Sequence, residues 1–139
     1  MSRRTARETV FKLIFEYTFY EVKNDDTLDL FLLDSSLDED DREYIKKTYI
    51  GVTAHYDELK EVIAKHSNGF VLARIYRPDL SVLLLGGYEV LYSKDVPALV
   101  AINEAVVLAK NYGAEKSSKF VNGILASILN EKNGEIEKE

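Results

Sequence analysis

The chain has 139 residues, of which 46% are hydrophobic and 30% charged, with a formal net charge of −6. A chain of this length is one ordinary domain burying roughly two-thirds of its unfolded surface, and its apolar fraction excludes disorder. With no cysteine, disulfides and thiolate metal sites are excluded, which fits a reducing cytoplasm.

Helical periodicity dominates, and neither hairpin signals nor strict alternation appear, so the expected fold class is all-α. The first helix is expected to start near Arg3 or Thr5, with Thr5 and Glu8 at capping-box spacing. Ala6, Val10, Leu13, Ile14 and Tyr17 form one apolar stripe, and Phe11, Phe15 and Phe19 a second row beside it. Such a helix must pack on two sides or offer one row to a partner. A short helix follows over 27–33. Ser36 and Glu39 repeat the capping-box spacing ahead of a helix over 38–54, and another spans 57–65. The run 66–69 stops it, with Gly69 as a left-handed cap. Residues 69–78 read as the seam between two helical halves. Pro78 suits the first turn of a helix over 78–92, and 93–97 is a turn. Ile102, Ala105, Val106, Ala109 and Tyr112 share one face of the next helix, which Gly113 closes. Ser117 or Ser118 caps the last helix, through about Leu129, and from about residue 130 a charged, frayed tail is expected.

No apolar signal core follows the basic start, because Glu8, Lys12 and Glu16 interrupt it. The apolar run 82–88 is far shorter than the ~20 residues a membrane helix needs. A soluble cytoplasmic protein is expected.

Catalytic and metal chemistry find little support. His55 and His66, even on one unbroken helix, would lie ~16 Å apart, too far to share a metal. Nucleophile elbow, phosphate loop and HExxH patterns are absent. Gly86 and Gly87 sit in apolar helical sequence and read as close helix packing. Asp25, Asp26 and the acids of 38–41 lack the glycine and spaced oxygens of a calcium loop. Glu89 and Glu104 interrupt apolar stretches and read as buried hydrogen-bonding groups at helix contacts. The expectation is no enzyme, no metal and no cofactor.

The basic residues are more informative. Arg3, Arg4, Arg7 and Lys12 crowd the first helix against Glu8 alone, while the acids concentrate elsewhere. Guanidinium forks match phosphate oxygens and stack on bases. Cations at a helix N-terminus oppose its dipole, at ~0.3–1 kcal/mol each, so their placement makes sense where an anion arrives. The elbow 113–123 adds Lys116, Lys119 and Phe120, and an aromatic beside lysines suits unstacked single-stranded RNA.

Arg3–Glu8, Val96–Gly113 and Ser118–Leu125, supported more loosely by Arg77–Leu91, resemble in order and spacing the NusB family of bacterial transcription antitermination factors. The resemblance covers nearly the whole chain. It implies a single NusB-like domain over 1–139 built as two packed three-helix bundles, and binding of boxA, a short single-stranded RNA element. It further implies joint binding with NusE, a ribosomal small-subunit protein, and assembly with RNA polymerase and other Nus factors, notably on ribosomal RNA operons. By position it implies RNA contacts for Arg3, Arg4, Arg7, Lys119 and Phe120, and NusE contacts for Phe15 and Asp79; Lys12 and Lys116 join the RNA-binding candidates through their charge alone. Phe15 stands where the family usually has tyrosine, Lys116 where an acid is usual, and 83–89 lacks the family's arginine. The free protein is open to both monomer and homodimer. A module serving an RNA methyltransferase is the enzyme-linked rival, though the length leaves no catalytic domain; a helical scaffold without RNA affinity is the other.

Overall fold

The computed structural model describes residues 2–69 and 71–138. Seven α-helices and one 3-10 turn make up the described residues, with no strand: α1 (Ser2–Tyr20), α2 (Asp25–Phe31), α3 (Glu39–Ala54), α4 (Tyr56–Lys65), the 3-10 turn (Leu72–Arg74), α5 (Arg77–Leu91), α6 (Ala98–Tyr112) and α7 (Ser117–Lys138).

The architecture is organised around α5. Its residues from Asp79 to Val90 are buried apart from the half-exposed Tyr88, as befits a helix that is apolar all round. One side of α5 packs against α6 and α7, which also pack on each other; the other side meets α1, α3 and α4. The two-bundle expectation is thus met with α5 common to both halves. Gly86 makes this possible: a Cβ there would stand 2.8 Å from Leu125 Cδ1 and 3.2 Å from Ala105 Cβ. Gly87 plays no such part, since its Cβ would meet only Leu59 at an ordinary 3.7 Å.

Several local expectations are corrected. Thr5 lies a full turn inside α1 and makes no capping box with Glu8; its carbonyl accepts from Thr9 Oγ1 at 3.1 Å, and Glu8 accepts instead from the Tyr112 hydroxyl at 2.7 Å. Asp38, not Ser36, caps α3, accepting from Asp41 N at 2.8 Å, while Ser36 is turned back onto Asp34. An acid directly before the first turn wins the cap because its carboxylate also complements the helix dipole. α2 begins two residues earlier than expected, where Asn24 accepts from Thr27 N. Gly69 does adopt the left-handed conformation, with φ +88°. The expected tail is helical instead: α7 runs on to Lys138, held by Glu131 against Lys65 and by Lys132 Nζ donating to the Val90 carbonyl at 2.7 Å.

Candidate nucleic-acid interface

The first two turns of α1 carry three arginines, and each meets a carboxylate from a different helix. Arg3 Nε donates to Asp41 Oδ1 of α3 at 3.0 Å. Arg4 grips Glu104 of α6 with two parallel bonds, Nε to Oε1 at 3.1 Å and Nη2 to Oε2 at 2.7 Å. Arg7 grips Glu89 of α5 the same way, at 3.0 Å in both bonds, and its Nη1 stands 3.6 Å from Glu104. Tyr44 of α3 closes the cluster: its hydroxyl donates to Glu89 at 3.2 Å, and its ring lies under Arg3 at 4.4 Å and Arg7 at 5.3 Å.

Burial divides these groups. Arg7 is 4% exposed and Glu89 1%, whereas the Arg4 side chain is 56% exposed. Burial works against the charge on Arg7, but hydrogen bonding and attraction to Glu89 outweigh it and hold the guanidinium above its ordinary range. Desolvation likewise drives the Tyr44 phenol upward, reinforced by Glu89. The hydrogen bond from Arg4 keeps Glu104 below the usual carboxylate range.

Further along, α1 and α6 continue side by side. Tyr112 packs at a tilt against Phe11, 4.7 Å between centroids, and donates to Glu8, a bond that pushes its phenol up to about 12. Phe11, Phe15 and Phe19 form a ladder, at 6.3 and 5.1 Å between successive rings. Arg77 lies over Phe19 at 4.4 Å and donates to the Thr18 carbonyl, tying this ladder to the start of α5.

The α6–α7 elbow tops a groove. At Gly113 the chain passes so close to Ser117 that a Cβ would stand 2.5 Å from its side chain, and Ser117 Oγ accepts from Ala114 N at 2.8 Å. Lys116, Lys119 and Phe120 line a cavity of about 440 Å³ with Ile75, Tyr76 and Asp79. Asp79 is 6% exposed, and its Oδ1 has no hydrogen-bond partner. Burial raises its carboxyl above the ordinary range, against a hydrogen bond with Ser117.

The NusB family model matches residues 4–130. The chain belongs to the NusB family. Transcription antitermination protein NusB of Ruminiclostridium cellulolyticum is 42% identical over 92% of this chain and 88% of its own, and that of Bacillus subtilis 36% identical over 92% and 95%. Among solved structures, T. maritima NusB superposes with a TM-score of 0.82 at 34% identity, over 93% of this chain and 91% of its own. A crystal structure of antitermination factors NusB and NusE in complex with dsRNA has a NusB-like chain with a TM-score of 0.82 at 26% identity, covering 93% and 96%.

Within this NusB-family chain the expected site residues fall into three settings. Arg3, Arg4 and Lys12 are solvent-accessible on α1, whereas Arg7 is spent in the interior and cannot meet a phosphate without breaking from Glu89. Lys116, Lys119, Phe120 and Asp79 come together in the elbow groove. Phe15 is half-buried in the aromatic ladder, apart from that groove's lining. Glu89 is the buried hydrogen-bonding group its sequence setting implied, whereas Glu104 bonds to Arg4 from a half-buried position. Tyr44, Arg77 and Tyr76 escaped notice, because helical periodicity does not distinguish them from other boundary positions. The histidines serve separate contacts: His55 stacks on Tyr92 at 4.1 Å, and His66 Nδ1 meets Ser127 Oγ at 2.7 Å. No group of three or more metal-ligating side chains occurs among the described residues, and no helix there is long and apolar enough to cross a membrane.

Proposed function

We propose that this NusB-family chain is a non-catalytic transcription antitermination factor of the cytoplasm. It binds boxA-type single-stranded RNA together with NusE and joins RNA polymerase and other Nus factors, notably on ribosomal RNA operons. The observation carrying this reading is the arginine edge of α1, fixed by carboxylates from α3, α5 and α6 in a chain whose NusB relatives bear the antitermination name. Arg3, Arg4 and Lys12 meet backbone phosphates, and Arg7 braces the edge from within. Lys116 and Lys119 extend the basic track across the elbow, where Phe120 offers a ring to an unstacked base. Phe15 and Asp79 face NusE: the aromatic row gives apolar area, and the unpartnered Asp79 oxygen accepts a donor. The NusB and NusE complex with dsRNA supports the pairing of these partners.

Fluorescence anisotropy with labelled boxA-type RNA and a scrambled counterpart tests the proposal. Tighter binding of the matched RNA is expected, weakened in Arg4→Ala. Equal and salt-insensitive signals for both RNAs would leave the helical-scaffold reading in its place.

A further inference from the structure

All three α1 arginines are held through Nε, the side edge of the guanidinium. Side-on pairing of Arg4 by Glu104 consumes Nε and one Nη2 hydrogen, and leaves the Nη1–Nη2 edge for a second anion. With the Arg4 side chain 56% exposed and that of Glu104 only 16%, the carboxylate lies deeper than the arginine, which keeps its access to solvent. Glu104 is itself fixed from below by Arg7, which is locked to Glu89.

Resting on the RNA-binding reading above, we propose that Glu104 is a positioning residue that sets the RNA selectivity of the α1 edge. It does so in two ways. Its charge cancels that of Arg4 at long range, so the edge exerts little pull on polyanions in general. Its two bonds hold the fork in one orientation, so a phosphate presented end-on still gains a bidentate, charge-assisted pair. A correctly shaped RNA keeps the short-range bonds; an arbitrary one loses the attraction. A carboxylate behind each binding arginine also accounts for how an acidic protein of net charge −6 can select among RNAs rather than collect them.

The experiment measures the affinities of Glu104→Gln, Glu104→Asp, Arg4→Lys and Arg4→Ala for matched and scrambled single-stranded RNA across a salt series, with thermal melts alongside. Glu104→Gln, nearly isosteric, is expected to bind scrambled RNA about five-fold more tightly and with a steeper salt dependence, so matched-over-scrambled discrimination falls. Glu104→Asp, which keeps the charge, holds scrambled-RNA binding at the native level. Arg4→Lys, a point charge without a fork, loses discrimination at an unchanged salt slope. Glu104→Gln that discriminates as the native protein does, or that weakens both RNAs equally with a lowered melting temperature, overturns the proposal while leaving RNA binding intact. Arg4→Ala binding like the native protein instead overturns the arginine-edge reading itself, and this inference with it.

Discussion

Along the α1 edge each arginine faces a carboxylate, whereas in the groove beneath the α6–α7 elbow a buried carboxylate, Asp79, has no ion-pair partner among the described residues. The edge is complete in the free protein: Arg3, Arg4 and Arg7 are oriented before any RNA arrives, so binding requires little further ordering of these side chains. The groove is incomplete. Its lining carries one unsatisfied oxygen, Asp79 Oδ1, that a hydrogen-bond donor from outside would satisfy. On the proposed reading the edge meets RNA phosphates, while the groove offers Phe120 and two lysines to RNA and the Asp79 oxygen to a partner.

The largest effect is expected at the base of the edge. Glu89→Leu strands the Arg7 charge in the interior, and a loss of ~3–5 kcal/mol of stability is expected in urea unfolding. Pairing it with Arg7→Met should recover most of that loss, since apolar replacements of similar volume are often neutral. A double variant as unstable as the single one would mean that packing, not the buried charge, sets the cost.

At the elbow, Phe120→Ala is expected to weaken RNA binding by ~1–3 kcal/mol if one base stacks on the ring. Phe120 is only partly buried, so the helical circular dichroism should persist. Titration calorimetry with RNA distinguishes the outcomes: unchanged affinity places the base path elsewhere.

The exposed part of the edge is sharpened by salt. Arg4→Ala should reduce the magnitude of the log–log salt slope by less than roughly 0.7, the counterion release of one unpaired single-strand phosphate contact, because Glu104 already offsets much of the Arg4 charge. Arg7, already neutralised by Glu89, should contribute little to that slope. A native slope near zero would remove phosphate contact from the account.

Asp79 gives the smallest effect, one of pH. Its folded carboxyl lies above the ordinary value of 3.8, so the proton is bound more tightly in the folded state. Its contribution to stability is fully present below pH 3.8 and is lost as pH rises through the raised value. Native protein should therefore lose stability relative to Asp79→Asn on going up through that interval, measured by urea unfolding at a series of pH values. A constant difference would show that the oxygen is satisfied.

Much of this was legible from local sequence. Helix positions followed from periodicity, and the elbow from Gly113 and Ser117. Glu89 and Glu104 betrayed themselves as acids inside apolar runs. What escaped was non-local. Arg7 shares a stripe with Val10 and Ile14, which hints at burial, yet the acid that makes burial tolerable lies 82 residues away. The helical continuation past residue 130 depends on Lys65, His66 and Val90, contacts that a terminal charge run does not advertise. Thr5 and Glu8 matched a capping pattern, but the helix started earlier and Tyr112 took the glutamate. Asp79, in the first turn of α5, reads as a dipole-complementing acid, and only the fold shows it buried with an unpartnered oxygen.

In the proposed assembly the completed edge and the incomplete groove act together, so that RNA and NusE assist each other's binding. A thermodynamic cycle measures this directly, by fluorescence anisotropy of boxA-type RNA with and without saturating NusE and by the reciprocal titration of NusE with and without RNA. A mutual tightening of ~1–3 kcal/mol, about 5–150-fold and equal in both directions, is predicted. RNA affinity unchanged by NusE would contradict the account.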